Sequence, residues 1–279
     1  MKKGLLKRII AITMVATLCV GCGLKKDSNN DGGEEKTTIT IGGTSISEIT
    51  YQAIKPEFEK LGYTTKFVSF DSNPVVLQAC NSGDVDIALG QHLKFVKSFN
   101  ESNSGDLDMA KPYGYYTGIG LYSNKYESVE EIPDGAQIAI MNDAMNMDIA
   151  LKILEENGLI ELNPDLDTYT VADIVNNPKN IKVIDMDQAQ TVTALEDVDA
   201  TCVFFTHMSN AGKDPAKYIA RDQQLVNYPM GVIVKDENVE SKWATDFAKC
   251  FKIDSVQEEI NKAFPGVFEF YTSDDQVKE

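Results

Sequence analysis

Histidine and tryptophan are scarce in this 279-residue chain, which has two histidines, His92 and His207, and one tryptophan. With so few imidazoles and no HExxH run, a built-in metal site has almost no raw material. Cysteine is sparse too: five in all, two of them within the first 22 residues. Positive charge is short, with 26 Lys plus Arg against 43 Asp plus Glu and a formal net charge of −17. No basic stripe runs along the chain, which excludes a nucleic-acid binder. There is no GxGxxG run and no lysine after Gly42-Gly43, so nucleotide binding lacks its usual cradle. An enzyme would need a nucleophile with a base, a paired carboxylate site or a metal set. The two histidines lie in separate segments beside no nucleophile motif, so the chain reads as a non-enzyme without cofactor or metal. What remains is an ordinary globular composition, 43% hydrophobic and 25% charged, which excludes wholesale disorder.

The N-terminus reads as a lipoprotein leader, with a plain secretion signal cut elsewhere as the alternative. Lys2, Lys3, Lys7 and Arg8 precede an apolar run from Ile9 to Gly21, too short to span a bilayer and sized for a signal sequence. The run ends in Gly21-Cys22, similar to a bacterial lipobox, although Cys19 replaces the usual Leu three residues earlier. Cys22 is therefore the expected acylated residue, and 1–21 the cleaved signal peptide. Residues 22–36 are rich in Ser, Asn, Asp, Gly and Lys and read as a flexible tether. Losing residues 1–21 removes four positive charges and leaves −21. That excess holds the body off anionic lipid, so the acyl chains do the anchoring. Cys80, Cys202 and Cys250 read as buried small hydrophobes, with a bridge between two of them as the alternative.

The body alternates strand and helix patterns. Strands are expected at 37–43, 64–70 and 85–89, with helices at 47–61 and 91–99 and an extended aromatic run at 114–122. A second set follows Pro133: strands at 136–141, 181–186, 198–205 and 228–235, and helices at 146–157, 241–252 and 256–263. Such alternation implies an α/β architecture with parallel-rich sheets. Two sets and a returning segment predict two lobes joined by crossings near 122–126 and 226–230. The first lobe would hold 37–125 plus 226–279, and the second 126–225. Tyr113-Gly-Tyr-Tyr116 reads as core or hinge packing, and acid runs such as Glu130-Glu131 as solvated faces.

Several scattered pieces carry a family resemblance. They are Gln91-His92, Tyr122-Ser-Asn-Lys125, Pro133-Asp-Gly-Ala136, Ile140-Met-Asn-Asp143 with Asn146, Ala150-Leu151 and Asn157-Gly-Leu-Ile160. Asp173-Ile-Val-Asn-Asn-Pro-Lys-Asn180 and the Leu195–Ala200 run LEDVDA complete the set. Together they resemble the NlpA lipoprotein family, methionine-binding receptors of bacterial ABC importers, from about residue 37 to 270. The resemblance implies a type II-like, two-lobe periplasmic-binding-protein fold that closes on a small solute. It also implies an ABC permease and its ATPase as partners, attachment to the membrane through lipid, an extracytoplasmic location and a monomeric body.

The pocket positions depart from that family. Its pattern Asn-Asp-x-x-Asn-x-x-Arg survives at Asn142, Asp143 and Asn146, but the arginine that grips a ligand carboxylate is Ile149 here. Its Asn-x-Phe-Gln-His has become Ala88-Leu-Gly-Gln-His92, and Phe95 replaces a tyrosine. Thr206 and His207 replace the Asn-Tyr that follow LEDVDA, Met230 replaces an asparagine, and Ser72 falls at an aromatic position. The expected ligand residues are thus Ser72, His92, Phe95, Asn142, Asn146, Ile149, Thr206 and Met230, with Ser45 and His207 as further polar candidates. His92 could instead cap a helix, and Asn142-Asp143 could form a turn and cap. A buried ligand carboxylate facing Ile149 would be unpaired, at several kcal/mol. The expected solute is therefore neutral or mildly cationic and partly apolar, not a free amino acid. Methionine import, or ligand sensing for signalling, is the alternative.

Overall fold

The computed structural model describes residues 36–278. The expected signal peptide, acylated Cys22 and the tether up to Glu35 lie outside the described residues. Among those described, no helix is long and apolar enough to cross a membrane.

The strands are β1 (Thr38–Gly43), β2 (Thr64–Ser69), β3 (Ile87–Ala88), β4 (Leu107–Tyr116), β5 (Ile119–Tyr122) and β6 (Gln137–Met141). They continue with β7 (Glu161–Leu162), β8 (Ile174–Asn176), β9 (Lys182–Met186), β10 (Ala200–Phe204), β11 (Ala220–Arg221), β12 (Met230–Lys235) and β13 (Glu269–Phe270). The helices are α1 (Ser45–Glu59), α2 (Asn73–Ser82), α3 (Leu93–Asn103) and α4 (Ala144–Glu156). Then come α5 (Thr191–Ala194), α6 (Phe205–Asn210), α7 (Lys242–Cys250) and α8 (Asp254–Ala263).

Two sheets organise these elements. The first has the order β13-β4-β12-β3-β1-β2, and the second β11-β5-β10-β6-β9. The chain thus crosses between sheets at Thr117-Gly118 and again between Arg221 and Met230. The first crossing was expected at 122–126. It lies earlier because Ile119–Tyr122 pairs with β10 in the second sheet, so the aromatic run is two strands broken at Gly118. The sheets are also more mixed than the expected parallel-rich pattern. Parallel pairs β1–β2, β1–β3, β6–β9 and β6–β10 come from strand–helix–strand units, whereas β4, β5, β11, β12 and β13 add antiparallel pairs.

Alternation along the strands splits the first lobe's core into two layers. Ile39, Ile41, Val232 and Val234 pack with Ile54, Phe58, Phe247 and Phe251 on one face. Ala88 and Ile233 pack with Val76, Leu77 and Val96 on the other. The second lobe closes its own core around Ile138, Ile140, Ile149, Ile153 and Cys202. Cys80, Cys202 and Cys250 are free and buried.

Candidate functional site

In the first lobe the cleft wall is made by loops that follow strand ends, the usual place for a site in an open α/β sheet. After β1, Gly43 lets the first turn of α1 approach so closely that a Cβ there would lie 2.5 Å from the Ser47 Cβ. Ser47 Oγ donates to the Leu89 carbonyl at 3.0 Å and ties α1 to the segment after β3. Gly90 has φ +100°, and a Cβ on it would sit 2.2 Å from Ser47 Oγ. Only glycine meets both demands.

His92 follows and caps α3: its Nδ1 accepts the Phe95 N–H at 3.0 Å. Its backbone bridges to Met230, and Leu93 N–H donates to the Pro229 carbonyl at 2.9 Å. The ring is packed edge-on against Tyr228, 5.5 Å away, and Phe95, 6.1 Å away. Burial pushes its pKa down to about 4, and the nearby Lys94 charge adds to the shift. His92 is therefore neutral at pH 7. With Nδ1 accepting, Nε2 carries the proton and is the ring's remaining donor.

A cavity of about 230 Å³ lies against this wall. Thr44, Ser47, Asn73, Gly90, His92, Tyr115 and Met230 line it from the first lobe, and Gln188, Phe204, Thr206 and His207 from the second. No side chain lining it carries a formal charge at neutral pH, since burial also lowers the His207 pKa. A second cavity of about 430 Å³ shares Gln188 with it and is charged. Lys94, Phe95 and Ser98 of α3 face Asn142, Asp143, Asn146 and Asp187 of the other lobe across this second space. Asp143 caps α4, accepting the Asn146 backbone N–H at 3.1 Å and its Nδ2 at 2.9 Å. Asn146 is 6% exposed, and its Oδ1 has no partner. Lys94 Nζ donates to the Tyr228 hydroxyl at 3.0 Å.

The expected residues divide accordingly. His92, Thr206, His207 and Met230 line the first cavity, and Phe95, Asn142 and Asn146 the second. Ser72 does not line either: it is an exposed residue before α2, and its neighbour Asn73 takes the place. Ser45 likewise yields to Thr44 and Ser47. Ile149 is 0% exposed and packs in the second lobe's core, so it touches no cavity. An apolar side chain on the inner face of α4 has no reason to turn toward the cleft. Tyr115, Phe204 and Lys94 were not expected at the site. The strand-end rule points toward Thr44 and Gly90, but no pattern in the sequence marks the others.

The profile of the NlpA lipoprotein family matches residues 39–269. The probable D-methionine-binding lipoprotein MetQ of Haemophilus influenzae is 31% identical over 267 residues, 93% of this chain and 96% of that protein. A solved substrate-binding protein of a methionine transporter from Streptococcus pneumoniae is 31% identical with a TM-score of 0.69. That match covers 84% of this chain and 96% of the other. A nutrient-binding protein from Burkholderia cenocepacia, solved bound to methionine, is 28% identical with a TM-score of 0.69, covering 83% and 99%. These likenesses agree with the two sheets and double crossing seen here, which make a two-lobe periplasmic-binding fold. With a match over most of its length, the chain belongs to the NlpA lipoprotein family of substrate-binding proteins and is not an enzyme.

Proposed function

We propose that this chain is the lipid-anchored, extracytoplasmic receptor of an ABC importer, a monomer that closes its two lobes on a small solute and delivers it to a permease and its ATPase. Cys22 would carry the acyl chains. The relatives' names support the importer role. The observation that carries the ligand reading is the first cavity, where both lobes contribute walls and none contributes a charge. A carboxylate buried against Ile46, Phe204, Met230 and Phe268 would lack a cation, because His92 stays neutral and Ile149 is in the core. The ligand is then an uncharged or singly cationic, partly apolar solute that meets the His92 Nε2–H with an acceptor.

Methionine is the second reading, favoured by the relatives and by Lys94, the one cation lining either of the two cleft cavities. Titration calorimetry with L-methionine, D-methionine and methioninol, which lacks the carboxylate, separates the two. The first reading expects methioninol to bind at least as tightly as either methionine. Submicromolar methionine binding that falls at least tenfold in Lys94→Gln would overturn it and establish Lys94 as a relocated carboxylate clamp.

A further inference from the structure

Strand alternation gives the hinge a front and a back. Tyr115 and Thr117 line the ligand cavity, while Tyr116 between them lines a polar cavity of about 260 Å³ on the other side. The same holds nearby, where Phe268 lines the ligand cavity and Glu269 the rear one. Across the rear cavity the two sheets are joined by charge. Arg221 of β11 donates through Nη1 to Oε1 of Glu269 in β13 at 2.5 Å. Each partner is held by its own lobe. Glu269 Oε2 accepts the Tyr116 hydroxyl at 2.8 Å. The Arg221 guanidinium lies 5.2 Å from the Phe205 ring centre and 5.8 Å from that of Tyr218, and these two rings stack on each other. Pairing two pre-held groups loses little side-chain entropy.

We infer that Arg221 and Glu269 are a positioning pair that sets the resting angle between the lobes from behind the hinge, and so sets affinity without touching ligand. This rests on the closure reading above. The crossings at Thr117-Gly118 and between Arg221 and Met230 act as the axis. When groups in front of an axis approach, groups behind it separate. Closure therefore stretches the pair, while further opening presses it together. The pair favours the open receptor and opposes capture. Glu269 is 47% exposed on its side chain, so the effect is modest and screened by salt.

The first readout needs no ligand. Dyes placed through unnatural amino acids at Lys97 on α3 and Ala144 on α4 of the full-length protein in nanodiscs report lobe separation by single-molecule energy transfer. Glu269→Gln and Arg221→Gln should each raise the closed-to-open ratio roughly two- to five-fold. The double variant should add nothing to either single change. In the unmutated protein, 0.5 M NaCl should move the ratio the same way, which covers the case of a variant that folds poorly. Unchanged ratios in both folded variants and in salt would overturn the inference while leaving lobe closure intact. A single rigid separation in every sample, at every methioninol concentration that calorimetry shows to be bound, would instead overturn the closure reading itself and this inference with it.

Discussion

The two lobes build the cleft by different means. The first lobe supplies most of the first cavity and shapes it with backbone: glycines at 43 and 90, a Ser47 hydroxyl locked to Leu89, and a histidine fixed by its own helix cap. The second lobe builds much of its own core around Ile138, Ile140 and Ile153 and lends Val203, Phe205 and Met208 to the first lobe's cluster. It presents only Gln188, Phe204, Thr206 and His207 to that cavity. On the proposed closure reading, the difference teaches that the first lobe is the preorganised half, on which a solute would land, and the second the lid. Preorganisation places the specificity in the half that need not move.

The largest expected effect tests the core half of that contrast. Ile149→Arg puts a guanidinium among Ile140, Ile153 and Leu154. If the position belongs to the core, stability falls by about 3–5 kcal/mol, read from denaturant unfolding. An unchanged midpoint together with newly tight methionine binding would mean the side chain reaches the second cavity, where Asp143 could receive it. In that event the second lobe is more than a lid.

The preorganised half is tested at Gly90. Gly90→Ala forces a Cβ into Ser47 Oγ and holds alanine at φ +100°, so the fold loses about 2–4 kcal/mol. Binding should weaken with it, because the displaced Ser47 releases the Leu89 carbonyl. Gly135 also has positive φ, but a Cβ on it meets nothing within 4 Å. The same substitution there adds backbone strain without a clash and should leave binding unchanged.

These positions also show how far the sequence could be read. Periodicity located most of the strands and helices of both sheets, because a buried face must repeat every second or every 3.6 residues. It could not locate the hinge, since Tyr113 to Tyr122 is one aromatic, Gly-rich run and only pairing partners tell that β4 ends and β5 begins. The helix α2 escaped too, because it begins at Asn73-Pro74, which reads as a turn. At the site, the family resemblance pointed to His92 and the Asn142–Asn146 frame, which line the two cavities. It misjudged Ile149 because spacing fixes a residue's place along a helix and says nothing of where a shorter side chain will turn. Lys94 went unremarked because a single lysine in the first turn of a helix looks like any solvated charge.

The His92 cap supplies a pH dependence. Its folded pKa, about 4, lies below the unfolded value of about 6.5. The unfolded chain therefore binds more protons between those values, so stability is unaffected by this group above pH 6.5 and declines as pH falls toward 4. The full loss is up to ~3 kcal/mol, and protonation also removes the acceptor that caps α3. Thermal melts from pH 7 to 4 should show this slope, and His92→Gln should flatten it. An equal slope in the variant would assign the effect to the many surface carboxylates instead.

The smallest effect separates two neighbours. Ser72 precedes α2 without a side-chain cap bond and is exposed. Ser72→Ala should change stability by less than about 0.5 kcal/mol and leave binding as it was. Asn73 is different, because its Oδ1 accepts Gln91 Nε2 at 3.1 Å and it lines the first cavity. Gln91 is 2% exposed and keeps only the Leu89 carbonyl for that nitrogen if Asn73 is lost. Asn73→Ala should therefore lower stability by about 1 kcal/mol and weaken ligand binding several-fold. Melts and calorimetry on both variants decide between them. Equal, negligible changes would mean the rim of the first lobe is looser than its glycine-built floor, and the preorganised surface would then shrink to Ser47, Gly90 and His92.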